Sequence, residues 1–109
     1  FDGDDIELEE LEIISKQIDE DNKVITLTAN RELNISNLNI SDFKLSGAGY
    51  YGSSSDKVAY DKKSITITLK NELDEDEKLT IEITTAGRGR IRDLNEQPLS
   101  TEEIEVDTN

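Results

Sequence analysis

Two runs in the second half of the chain, Ser64-Ile-Thr-Ile-Thr-Leu69 and Leu79-Thr-Ile-Glu-Ile-Thr-Thr85, alternate apolar and polar side chains almost without interruption. An extended backbone turns successive side chains to opposite faces, so Ile65, Ile67 and Leu69 share one face and their hydroxyl neighbours the other. A helix would scatter the same residues around its axis. Both runs are therefore strands with one buried face, and Leu79, Ile81 and Ile83 need a second apolar layer to cover them.

Shorter runs supply that layer. Between Glu12 and Thr28, Ile14 and Ile18 bracket one polar strand, while Ile25 and Leu27 alternate with Thr26 and Thr28 in the next; Asp19-Glu-Asp-Asn-Lys23 is the turn between them. From Asp5 to Ser15, Ile6, Leu8, Leu11 and Ile13 suit either period for a few residues. That stretch is read as the start of the first strand with a bulge or kink, a short helix being the alternative. Phe43-Lys-Leu45, Lys57-Val-Ala-Tyr60 and Ile104-Glu-Val106 complete a set of about seven short strands, which is the pattern of an all-β sandwich in two sheets. Asp61-Lys-Lys63 is short enough for a hairpin, and Leu73 is expected to tuck beneath the polar turn Asn71–Lys78.

Hydrophobic residues make up 33% of the chain and charged residues 35%, a balance that permits disorder when apolar residues are scattered. Here they are grouped, and 109 residues fit one modest core. Phe1-Asp-Gly-Asp-Asp5 reads as a linker, with a single domain over 6–109. No segment has the apolar length of a membrane span or the form of a signal peptide, so membrane insertion is not expected.

The chain has no cysteine and no histidine, which removes a disulfide framework, a thiolate metal site, the commonest proton shuttle and the commonest covalent nucleophile. Its carboxylates crowd into turns and not into a cleft framed by aromatics, and Gly87-Arg-Gly89 lacks the spacing of a phosphate loop. An enzyme is not expected. The formal charge of −14, from 26 acids against 12 bases, disfavours nucleic acid and anionic lipid and makes cations the natural counterpart. Hard cations take several oxygens, so calcium is the candidate ion, with Asp19, Asp21 and Asn22 in the first turn and Asp74 and Asp76 in the later one as candidate ligands. No cofactor is required.

The segment Gly47-Ala-Gly-Tyr-Tyr-Gly-Ser-Ser-Ser55 is a loop by composition, and Tyr50 and Tyr51 are either stacking aromatics for a ligand or covers for a core edge. The sequons Asn34-Ile-Ser36 and Asn39-Ile-Ser41 are read first as turn-forming residues.

The ordered set "NKVITLT", "DFKLS", a Gly-rich loop, "KSITITLKNELDEDEKLTIEIT" and "IRDLNEQPLS" resembles the immunoglobulin-like repeat domains of bacterial S-layer and other cell-surface proteins, over about residues 11 to 107. The last segment resembles a corner of the form I-x-D-x-x-G-N-x-L, with Asn95-Glu96 in place of the expected Gly-Asn. In physical terms Ile91 buries, Asp93 accepts backbone N–H groups that close the turn, Pro98 ends the ladder and Leu99 returns to the core. The resemblance implies an immunoglobulin-like β-sandwich, an extracellular setting at the cell wall or S-layer, and neighbouring domains of the same or adjacent surface-protein chains as partners. An adhesin or carbohydrate-binding module touching cell-wall or host glycans is the second reading.

In such a fold, strands that run alternately up and down gather Asp19, Glu20, Asp21, Asp56, Glu72, Asp74, Glu75, Asp76 and Glu77 at one end. Arg31, Arg88, Arg90 and Arg92 gather at the other. Arg88, Arg90 and Arg92 are therefore the residues expected to contact the acidic end of a neighbouring domain.

Overall fold

The computed structural model describes residues 10–50 and 56–109. The expected linker at 1–5, the first residues of the domain from 6, Tyr51 and Gly52–Ser55 lie outside the described residues.

Among the described residues nine strands carry the fold: β1 (Ile13–Ile18), β2 (Val24–Ala29), β3 (Leu33–Asn34), β4 (Phe43–Gly47), β5 (Lys57–Tyr60), β6 (Ser64–Thr68), β7 (Lys78–Ile83), β8 (Arg92–Asp93) and β9 (Glu103–Asp107). They assemble into a four-stranded sheet in the order β1-β2-β6-β5, a three-stranded sheet in the order β4-β7-β9, and a small ribbon of β3 with β8. All these ladders are antiparallel. Apart from the ribbon, the first, second, fifth and fourth strands face the third, sixth and seventh, which is the strand order of a constant-type immunoglobulin sandwich.

Alternation decides what each strand buries. Ile25 and Leu27 pair with Ile67 and Ile65 across β2 and β6, and all four are fully buried. From the other sheet Leu79, Ile81 and Ile83 of β7 meet them, joined by Phe43, Ile104 and Val106. Burying one such side chain contributes about 1.5–3 kcal/mol. The register of β1 against β2 slips between Ile13 and Ser15, the bulge anticipated near the start of the first strand, and Ile14 is left 64% exposed there. Leu73 is buried beneath its turn, as its isolation among acids implied, and its N–H donates to the Asn22 carbonyl at 2.9 Å.

The register fixes two poles. Val24, Thr68, Gly47, Lys78 and Asp107 mark one end of the strands; Thr28, Ser64, Phe43, Ile83 and Glu103 mark the other. β1 enters from the second end, where the Ser100 N–H donates to the Leu11 carbonyl at 2.9 Å. β9 leaves at the first.

Three features were not anticipated. A short helix α1 (Thr85–Arg90) follows β7 where the sequence reads as loop. Two glycines in six residues make it a poor helix by propensity. It forms because Thr84 caps it, accepting the Gly87 N–H at 3.0 Å, and because Gly87 lies against Asp42, where a Cβ would sit 2.8 Å from the Asp42 carbonyl oxygen. The wide Asn- and Ser-rich connection contains β3 and a 3-10 turn over Ile40–Asp42. β3 pairs with β8 through Leu33 opposite Asp93 and Asn34 opposite Arg92.

Candidate functional site

The corner from Ile91 to Ser100 is built around Asp93. Its side chain is 1% exposed, and its Oδ1 accepts the backbone N–H groups of Asn95 at 2.8 Å and Gln97 at 2.9 Å. Arg31 Nη1 donates to its Oδ2 at 3.3 Å. Burial pushes this carboxyl up, but the N–H bonds from Gln97 and Asn95 and the Arg31 charge outweigh it, and the group is held below the ordinary aspartate value. Glu96 takes a φ of 63°, the left-handed conformation that glycine adopts at least cost, so the corner keeps its turn without the glycine and bears some strain. Leu99 closes the corner, its N–H donating to the Ile91 carbonyl at 2.9 Å.

At the acidic pole the turn between β1 and β2, the turn between β6 and β7 and the end of β9 meet. Asp19 Oδ1 accepts the N–H groups of Lys23 at 2.8 Å and Val24 at 2.9 Å, and these bonds lower its pKa. Asn22 is buried with a φ of 54°, and its Oδ1 accepts from the Asn109 N–H and from Asn109 Nδ2, each at 3.0 Å. Asn109 returns through its carbonyl, which accepts the Asp76 N–H at 2.9 Å. The Asp74 carbonyl accepts from Thr108 Oγ1 at 2.6 Å, and the Asp74 carboxylate lies so close to Gly49 that a Cβ there would overlap it. Asp21 is exposed on the rim.

The two turns named as calcium ligands thus adjoin. Asp19 Oδ1 and Asn22 Oδ1 there already accept N–H groups that close the turn and hold Asn109. Among the described residues, no three carboxylates come together as a metal-holding group.

The opposite pole holds the four arginines, each engaged within the chain. Arg90 Nη1 reaches both carboxylate oxygens of buried Asp42, at 2.8 and 3.1 Å. Arg88 donates to the Ile83 carbonyl at 2.6 Å and lies 3.6 Å from Glu102. Arg92 Nε donates to the Gly89 carbonyl at 2.7 Å, while the side chain stays on the surface. The polarity read from the sequence is therefore present, with Arg90 beside Asp42 and far from Asp76. Its chemistry is different: Arg31, Arg88 and Arg90 compensate carboxylates and carbonyls of their own domain, and of the three arginines expected at an interdomain contact Arg92 has no carboxylate within salt-bridge distance among the described residues.

Asp42 was not singled out from the sequence, although Asn39 three residues earlier is a signal: the Asn39 N–H donates to Asp42 Oδ2 at 3.0 Å, as in a helix cap. Asp56, one of the acids expected at the first end, is buried there, accepting the Lys70 N–H at 2.8 Å and the Tyr50 hydroxyl. Tyr50 thereby folds back over the core edge; Tyr51 lies outside the described residues. Among the described residues no helix is long and apolar enough to cross a membrane.

Comparison of the chain with protein-family models, curated proteins and solved structures gave no match. What the fold defines is a class, an immunoglobulin-like β-sandwich with capped acidic turns at one pole and internally paired arginines at the other.

Proposed function

We propose that the chain is a non-catalytic structural module of an extracellular bacterial surface protein of the S-layer-like kind, spacing or assembling domains in series at the cell wall. The observation that carries this reading is the placement of the start of β1 and the end of β9 at opposite poles, which lines up successive domains end to end. The resemblance of the "IRDLNEQPLS" corner to bacterial surface repeats supports it, as does a core closed by Ile and Leu without any cysteine. Neighbouring domains of the same or adjacent chains are the partners. Contact through the arginine-bearing pole rests on Arg92, because Arg88 and Arg90 are already paired. Exposed ion pairs contribute about 0–1 kcal/mol each, so that contact orients neighbours more than it binds them.

Two copies of the full chain joined in series test the proposal by small-angle X-ray scattering. A maximum dimension close to twice that of one copy supports a spacer. Copies folded side by side overturn it.

A further inference from the structure

The fold treats the sequons Asn34-Ile-Ser36 and Asn39-Ile-Ser41 differently. Asn34 closes the short strand β3, opposite Arg92 of β8. Leu33 and Ile35 are half-buried and pack against the core, while Asn34 and Ser36 are exposed. Burial that alternates residue by residue is the signature of an extended segment, in which positions two apart lie on one side of the chain. The Asn34 amide and the Ser36 hydroxyl therefore both face solvent. Arg92, the cross-strand neighbour, turns its Nε to the Gly89 carbonyl at 2.7 Å. Asn39 is held otherwise. Its N–H donates to Asp42 Oδ2 and its carbonyl accepts the Asp42 N–H, each at 3.0 Å, and Asp42 is fixed in turn by Arg90. Ser41 lies within the 3-10 turn Ile40–Asp42, where three residues complete a turn and positions two apart point to different sides. Of the two sequons read as turn-formers, Asn39 begins a turn and Asn34 stands in a strand.

We propose that Asn34 is an N-glycosylation site of the folded chain and that Asn39 is not. The glycosyl donor is an oligosaccharide joined through its anomeric carbon to a polyprenyl diphosphate, and the catalyst is an oligosaccharyltransferase that accepts Asn-x-Ser. Asn34 Nδ2 displaces the diphosphate from that carbon. The C–N bond forms as the C–O bond breaks, the polyprenyl diphosphate leaves with the electron pair, and one amide proton passes to a base of the transferase. A glycan is bulky and stays solvated, so its asparagine has to project from the surface without drawing core side chains after it. Asn34 meets that condition because Leu33 and Ile35 keep the segment anchored from its inner side. At Asn39 the same reaction requires opening the junction with Asp42. Charge separates the two as well: exposed Glu32 stands two residues before Asn34 and uncharged Asn37 two before Asn39, so a transferase that also binds a carboxylate at that place takes Asn34 alone. The extracellular reading supplies only the setting in which donor and chain meet; the selectivity belongs to the folded chain itself.

The test incubates the full folded chain with a lipid-linked oligosaccharide and a purified oligosaccharyltransferase that has no requirement two residues before the acceptor, so that any choice between the sequons reports the fold. A reference acceptor peptide shares the reaction, and intact-protein mass spectrometry with peptide mapping reads the product. A mass increase of one glycan, mapped to Asn34, is expected. Asn34→Gln abolishes it, and so does Ser36→Ala, which keeps the asparagine and removes only the hydroxyl two residues on. Asn39→Gln and Ser41→Ala leave it unchanged. Circular dichroism of each variant keeps loss of the acceptor distinct from loss of the fold. No addition to the folded chain while the reference peptide is consumed, addition at Asn39, or addition that begins only once the chain is unfolded in urea would each overturn the proposal. These outcomes do not bear on end-to-end spacing, which the scattering of two joined copies reads separately.

Discussion

Arg90 closes on Asp42, with Nη1 at 2.8 and 3.1 Å from the two carboxylate oxygens, and ties the last turn of α1 to the residue that precedes β4. Asp42 is a junction: its carbonyl accepts the Thr84 N–H at 3.0 Å and its carboxylate also takes the Asn39 N–H. The Arg90 side chain is 42% exposed and that of Asp42 4%, so the pair is half-screened by water. Arg90→Ala should cost about 1–2 kcal/mol, less than the 3–5 of a fully buried pair. A double-mutant cycle with Asp42→Asn, read by urea unfolding, should give a coupling of about 1 kcal/mol; a coupling near zero would show the pair to be incidental.

Gly87 and Gly89 predict opposite outcomes from the same substitution. A Cβ at Gly87 would lie 2.8 Å from the Asp42 carbonyl oxygen and 2.9 Å from the Asp42 Cβ, whereas at Gly89 nothing lies within 4 Å. Gly87→Ala should therefore destabilise by about 1–3 kcal/mol through overpacking. Gly89→Ala should stabilise by about 0.5–1 kcal/mol, through helix propensity alone. Thermal melts of the two variants check the sign; equal effects would mean that α1 does not pack on Asp42 as described.

The acid sensitivity of the fold has a defined sign. Asp93 and Asp19 both have folded pKa values below the ordinary one, so each carboxyl stays ionised in the folded chain at pH values where the unfolded chain binds a proton. Their stabilisation is complete above the unfolded value of about 3.9 and is lost as pH falls from there through the folded values. Asp93→Asn should lower the melting temperature at neutral pH and flatten its fall below about pH 4. A slope unchanged by the substitution would remove Asp93 from the acid transition.

Calcium binding through Asp19 Oδ1 or Asn22 Oδ1 would compete with the two N–H bonds that each of these oxygens accepts within the fold. Melts in millimolar calcium and in chelator should agree within about a degree, since an ion without a specific site adds no stability by mass action. An increase of several degrees would mean that these oxygens, or others nearby, rearrange into a site.

The sequence alone determined the seven longer strands, β1, β2, β4, β5, β6, β7 and β9. Alternation of Ile and Leu with Thr is a local property: every residue of β2, β6, β7 and β9 reports its own face, and the acids between them report turns. The closing corner was legible for the same reason, because Asp93 caps N–H groups two and four residues ahead. Only the tertiary structure decided how the charges are spent. Asp42 and Arg90 are separated by 48 residues and Arg31 and Asp93 by 62, so no local pattern shows that these groups meet. The helix α1 belongs with them, for its glycines argue against a helix until Asp42 supplies the surface that needs a residue without a side chain. Period and turn chemistry act over a few residues, whereas ion pairs and faces depend on distances that chain folding alone sets.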